Sequence, residues 1–487
     1  MDEARTEGLG DAIRDVLDAL DEHLRFAGPD RAAERSAWRP ALEAPLPREG
    51  LGAEAVIAAL RDLVAARGLR LGAPGFLGWI ATAPPVVPAT AALVGAVAAP
   101  QRWWVHPAGF LEEQARRWLA ELLGLPPATA GALVSGGAAA NLLCLAAARQ
   151  RAGERRGGDP AADGLACVPE PRLYAGDTAH HVIERAAALL GLGRRALVRL
   201  PRPRRRGATV DVAALARALD HDRAAGRTPI AVVATAGDAS TGAVDPIAEM
   251  AELAAARGVW LHVDGAYGAF AVLDPRGRER VGDLAAADSL AVDPHKWLAA
   301  PVGCGAAFVR DAGVLERALA LPRAPYLEYV RRGEGDPASA FDQLGEGRAD
   351  HTLEHTAPAR GLAVWAALAE IGAAGLAARV ARHLDCARRV AERARAEPEL
   401  ELLAEPALSI VCLRYRPPGV KDSAALERTT RAVLAAVRAR GRVIPSSTRV
   451  DSKLAIRACF LGPRTALADA DALVEEILAA GRAAPSA

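Results

Sequence analysis

The 487-residue sequence predicts an α/β fold, with a mostly parallel seven-stranded sheet carrying helices on both faces, an N-terminal helical arm and a small C-terminal α/β domain. Apolar, β-branched-rich runs recur near 131–135, 172–176, 196–200, 230–236, 260–264, 289–293 and 304–309, and helical patterns fill most of the gaps. That alternation is the signature of strands joined by helical crossovers. Apolar residues make up 51% of the chain, enough to build a sizeable core without staples.

Composition also removes several classes of function. A net charge of +1 provides no field for nucleic acid or an acidic membrane, and 4% aromatic residues leave few stacking platforms. The expected partner is a small molecule. The six cysteines are dispersed without a CxxC pair, which reads as reduced thiols in a cytoplasmic protein and indicates neither disulfide nor metal. The N-terminus lacks the charged and apolar regions of a signal peptide. The apolar run from Pro84 to Pro100 is too short and too proline-punctuated for a bilayer span, and reads as a buried helix.

In chain order, residues 1–100 read as the helical arm followed by a pocket segment, with helical periodicity in 9–17 and 53–66. Residues 101–360 read as the large domain. In it, Leu133-Val134-Ser135-Gly136-Gly137-Ala138 is a glycine-containing turn opening an Ala/Leu-rich helix, where free N–H groups and the helix dipole suit a phosphate. The paired His180-His181 follows a strand; adjacent side chains on an incipient helix diverge and no third ligand is evident, so no metal site is expected. The arginine-rich stretch 194–206 is bracketed by prolines and reads as a solvated loop. Residues 321–357, with Tyr326, Tyr329 and Phe341, have little periodicity and could form a lid. Residues 361–487 read as the small domain, with strands at 408–415, 442–445 and 454–460 and a final helix at 467–481.

The chemistry centres on Val292-Asp293-Pro294-His295-Lys296-Trp297. Lys and Arg together number 60, yet only Lys296, Lys421 and Lys453 are lysines. A lysine at the end of a buried strand therefore points to chemistry that guanidinium cannot perform, namely losing a proton and attacking a carbonyl to form a Schiff base. A second strand, Trp260-Leu261-His262-Val263-Asp264, ends in a carboxylate able to hold the protonated ring nitrogen of pyridoxal 5'-phosphate. His180, Asp264 and Lys296 all fall just after strands, where open α/β sheets bind ligands.

Asp264-x-Ala266-Tyr267 followed by Pro294-His295-Lys296-Trp297 resembles the group II pyridoxal-phosphate-dependent amino-acid decarboxylases, from about Gly75 to Val474. The resemblance implies fold type I, decarboxylation of an L-amino acid to the amine and CO2, and a homodimer in which the arm wraps the second subunit. It implies cofactor contacts from Gly137, Ala138, His180, Thr235, Asp264, Ala266, His295 and Lys296, with His180 stacked on the ring. Trp79, Thr82 and Phe341 are implied pocket residues. Departures are Ala138 where relatives usually have Ser, Asp293 where some have a phosphate-binding Asn, and Phe341 near the expected loop tyrosine. The last leaves aldehyde synthesis, or another carbon–carbon lyase, as alternatives. A catalytically silent scaffold of the same fold is a further one.

Overall fold

A computed structural model of the chain describes residues 10–11, 14–18, 20, 35–43, 45–65, 68–98, 107–202, 209–319, 351–354 and 356–483. Its strands are β1 (Phe76–Leu77), β2 (Ala130–Val134), β3 (Pro171–Gly176), β4 (Leu197–Leu200), β5 (Thr228–Thr235), β6 (Trp260–Asp264), β7 (Ser289–Val292), β8 (Gly305–Val309), β9 (Leu400–Ala404), β10 (Ile410–Tyr415), β11 (Ile444–Val450) and β12 (Lys453–Cys459).

Seven of them form the central sheet in the order β2-β8-β7-β6-β5-β3-β4. All neighbours are parallel except β8, which runs antiparallel to both β7 and β2. Its middle strands are apolar on both sides, as a sheet covered by helices on both faces requires. Val232 and Ala234 of β5 join the core under helices Pro107–Leu122, Val212–Ala224 and Ile247–Ala256. Ala231 and Val233 point the other way, into the core under helices Gly137–Glu154 and His181–Leu189. Each sequence-predicted strand of this sheet is present within two residues of its expected limits.

The second sheet has the order β1-β11-β12-β10-β9. Two of its members were not expected. β9 pairs antiparallel with β10, and β1, from the pocket segment, pairs in parallel with Ile444 and Pro445. The pocket segment is thereby stitched to the C-terminal sheet, Ile444 N–H donating to Gly75 O at 2.8 Å. The helix Gly361–Ala396 runs along both bodies and kinks at Gly372. It is long and apolar enough to cross a membrane, but Leu376, Val380, His383 and Cys386 are buried against the two domain cores.

The apolar helix expected at 84–100 forms at Val86–Ala98, but it is not buried. One stripe faces Gly361–Ala396, while Val86, Val87, Leu93, Val94 and Val97 stay exposed. Apolarity on every side predicts a core helix; here it leaves an outward face uncovered among the described residues.

Candidate active site

Lys296 sits where it does because β7 cannot continue. Pro294 has no N–H for a ladder, and the chain folds back so that Lys296 N–H donates to Asp293 O at 2.9 Å and Ala299 N–H to Lys296 O at 3.0 Å. The Lys296 Nζ lies 3.0 Å from Asp293 Oδ2, both side chains being largely buried. On the far side Trp297 stacks on Tyr267, with centroids 5.2 Å apart and planes 13° from parallel. The Trp297 indole N–H donates to His383 Nδ1 at 2.9 Å, and His383 Nε2–H donates to Gly462 O at 2.9 Å. Burial pushes the His383 pKa down to about 3, so the imidazole is neutral and can take this one-way arrangement. The lysine turn is thus braced against the C-terminal part of the chain.

Asp264 is the last residue of β6 and lies in register with Thr235 of β5 and Ala291 of β7. Its Oδ1 accepts from Ala266 N–H at 3.2 Å. Thr235 is held by its backbone, whose N–H donates to Asp245 Oδ2 at 2.7 Å. Burial pushes the Asp245 pKa up to about 6. His180 caps the helix His181–Leu189, its Nδ1 accepting from Val182 N–H at 3.4 Å. The two imidazoles do not diverge as expected: their centroids are 4.1 Å apart, because His180 stands outside the helix as its cap. Burial, then the neighbouring His181, lowers the His180 pKa.

At the start of the helix Gly137–Glu154, Gly136 has φ 146°, which a side chain would strain, and a Cβ on Gly137 would lie 2.7 Å from Asp293 Oδ2. The turn is a bare backbone cradle facing Asp293.

These elements enclose a cavity of about 360 Å³. Eight sequence-predicted residues line it: Trp79, Gly137, Ala138, His180, Thr235, Asp264, Ala266 and Lys296. Two others do not. Thr82 is buried outside the lining and its hydroxyl donates to Ala83 O at 3.4 Å, because the segment turns inward after Ile80. His295 stands behind the lining, its Nδ1 lying 2.6 Å from Cys304 O, with Nε2 3.7 Å from Asp293 Oδ2 and its ring beside Gly136. Phe341, Tyr326 and Tyr329 lie outside the described residues.

Sequence reasoning missed Asn141, Asp238, Ser446 and Arg457 in the lining. Arg457, on β12, is buried and donates to Ser240 O at 3.2 Å, Trp79 O at 2.9 Å and Ser446 Oγ at 3.2 Å. The signal was available: a lone arginine inside Leu454-Ala455-Ile456-Arg457-Ala458-Cys459-Phe460 is a cation in an otherwise buried strand.

The residues fit pyridoxal phosphate. A primary amine, a carboxylate beyond it and a glycine cradle at a helix start meet the needs of its aldehyde, ring nitrogen and phosphate in turn. Two buried polar atoms in the lining, Thr235 Oγ1 and Asp293 Oδ1, have no hydrogen-bond partner among the described residues, which leaves the Thr235 hydroxyl to be met by an incoming polar ligand.

Comparison with known proteins agrees. The family model described as Pyridoxal-dependent decarboxylase conserved domain matches residues 101–416. The chain is 29% identical to an aromatic-L-amino-acid decarboxylase of Bacillus atrophaeus, over 74% of this chain and 71% of that protein. It is 31% identical to the L-2,4-diaminobutyrate decarboxylase of Rhizobium meliloti (strain 1021), over 86% and 80% respectively. In fold it is similar to Oryza sativa TDC solved with PLP and tryptamine, with a TM-score of 0.88 at 22% identity, covering 99% of each chain. A lysine-bearing strand end, a facing carboxylate, a phosphate cradle and this match over most of the chain place it in the group II pyridoxal-phosphate-dependent decarboxylases, amino-acid carboxy-lyases of fold type I that use pyridoxal 5'-phosphate.

Proposed function

We propose that the chain converts an L-amino acid to its amine and CO2, with Lys296, Asp264 and His180 as the working groups and the cavity between the two sheets as the place of reaction. The observation that carries this reading is the convergence of all three side chains on one cavity with Arg457 in its wall. Bound pyridoxal phosphate supplies the conjugated ring that withdraws electrons from a bond at the substrate α-carbon. The protein does the rest. Lys296 Nζ would hold the cofactor through its aldehyde, and it places a primary amine within the cavity. Asp264, fixed by the Ala266 N–H, would hold a positive charge at the ring nitrogen. His180, its pKa lowered by burial, would pack against the ring with its neutral form favoured.

Arg457 gives the cavity a cation whose described partners, two carbonyls and a hydroxyl, are all neutral. We assign it to a carboxylate of the substrate, with Trp79 and Ile80 as the apolar wall beside it. The test is product analysis of the protein with pyridoxal phosphate and aromatic, diamino and acidic amino acids, following CO2, amine, aldehyde and peroxide. Amine with CO2 is expected. Aldehyde with peroxide would replace this reading by aldehyde synthesis, with Phe341 as the suspected cause. Arg457→Met is expected to raise KM by about 10- to 100-fold, the worth of a hydrogen bond to a charged group; an unchanged KM would remove Arg457 from substrate binding.

The exposed apolar face of Val86–Ala98, together with exposed Leu46, Leu51, Leu60 and Phe110, supports assembly into a homodimer. Light scattering should give the mass of two chains; a stable monomer would contradict it.

A further inference from the structure

Behind the cradle lies a buried polar chain that the reaction does not use. Trp260 Nε1 is 2.8 Å from Ser289 Oγ, Ser289 Oγ is 2.9 Å from His262 Nδ1, and His262 Nε2 is 2.7 Å from Asn141 Oδ1. Asn141 Nδ2 is 2.7 Å from Gly137 O. Trp260, Ser289, His262 and Asn141 are all buried, and His262 and Asn141 have no exposure. They come from β6, β7 and the helix Gly137–Glu154, and the chain runs from the sheet to the first residue of the cofactor-phosphate turn.

Only one arrangement of hydrogens satisfies every link. The Trp260 indole N–H and the Asn141 amide nitrogen can only donate, and Asn141 Oδ1 can only accept. His262 Nε2 must therefore carry a hydrogen. Complete burial pushes the His262 pKa down to about 4, so the ring is neutral, Nδ1 is bare, and the Ser289 hydroxyl donates to it while accepting from Trp260. Every bond then points the same way, from Trp260 through Ser289, His262 and Asn141 to the Gly137 carbonyl. Bonds aligned in this sense polarise one another.

Apolar side chains would fill this space between sheet and helix without desolvating four polar groups. What the chain achieves is to fix the Asn141 amide and so pin the Gly137 carbonyl, which sets the peptide plane of the turn. A pinned carbonyl at Gly137 orients the N–H groups that follow, the donors a phosphate needs. Neutrality also matters, because His262 lies two residues before Asp264 on the same face of β6 and a charged imidazole there would compete for the Asp264 carboxylate.

We propose that His262, acting through Asn141 and held in one tautomer by Ser289, is a positioning residue for the phosphate of the cofactor. It does not line the cavity itself, so its effect on the phosphate passes through Asn141 and the Gly137 turn. The proposal rests on pyridoxal phosphate as the cofactor.

Titration of cofactor-free protein with pyridoxal phosphate and, separately, with pyridoxal, read by absorbance of the Schiff base, tests it. Wild-type protein must bind pyridoxal phosphate; failure there would overturn the cofactor reading itself. His262→Leu is expected to weaken pyridoxal phosphate by at least about ten-fold while leaving pyridoxal within about two-fold, because only the phosphate depends on the turn. His262→Gln, which can return a donor to Asn141 Oδ1, should recover most of the loss. Equal weakening of both ligands, or of neither, would overturn the proposal and reduce the chain to packing. Should His262→Leu not fold, Ser289→Ala takes its place, with a selective loss of about three-fold expected; an unchanged ratio of the two affinities overturns the proposal equally.

Discussion

Lys296→Ala is expected to lower turnover by at least about 10⁴-fold, the upper end of what a positioned proton-transfer group supplies, because the covalent tether is lost with it. The same variant should lose the visible absorbance of covalently held cofactor and no longer become labelled when the holoenzyme is treated with borohydride. The geometry makes Lys296 hard to replace. Its Nζ lies against buried Asp293, while the other two lysines are exposed. A variant that kept more than about one part in a hundred of the activity would show that the amine does not carry the chemistry.

Asp264→Asn should be the next most damaging change, lowering kcat by about 10²- to 10³-fold while leaving KM within a few-fold. The amide is nearly isosteric and keeps an acceptor for the Ala266 N–H, 3.2 Å away, so the end of β6 should hold its shape. What disappears is the negative charge that keeps a proton on the ring nitrogen. Steady-state kinetics with the variant saturated in cofactor separates the two parameters. If kcat stayed within a few-fold of wild type, the ring nitrogen would not need its proton and another residue would have to face it.

How legible these features were follows from how local each one is. The central sheet could be read because each strand is a short apolar run with its own boundaries; Ile230-Ala231-Val232-Val233 has no other sensible state. Lys296, Asp264, His180 and the Gly137 turn could be read because each closes or opens such an element. What failed was long-range. β1 is two residues long and exists only because Phe76 and Leu77 pair with a strand more than three hundred residues later. Arg457 enters the cavity from the second sheet, and no periodicity tells what a strand's arginine faces. His262 was read past as part of an apolar run, since its partners Asn141 and Ser289 lie far off along the chain. The helix Val86–Ala98 failed differently: its composition was read correctly, but composition says only that a surface needs covering, not by which chain.

The choice of arginine over lysine has a practical outcome. Lys421 stands in solvent in a loop, Lys453 is exposed but begins the paired strand β12, and Lys296 is enclosed, so a protease that cuts only after lysine meets one open bond and two guarded ones. Amine-directed chemistry on the folded protein is sorted in the same way. Acylating or cross-linking reagents have two outward lysine amines, both far along the chain from the lysine turn. The cofactor aldehyde, which would react with any amine it met, finds almost none except its own. Scarcity of lysine thus narrows the set of amines that the cofactor aldehyde can meet.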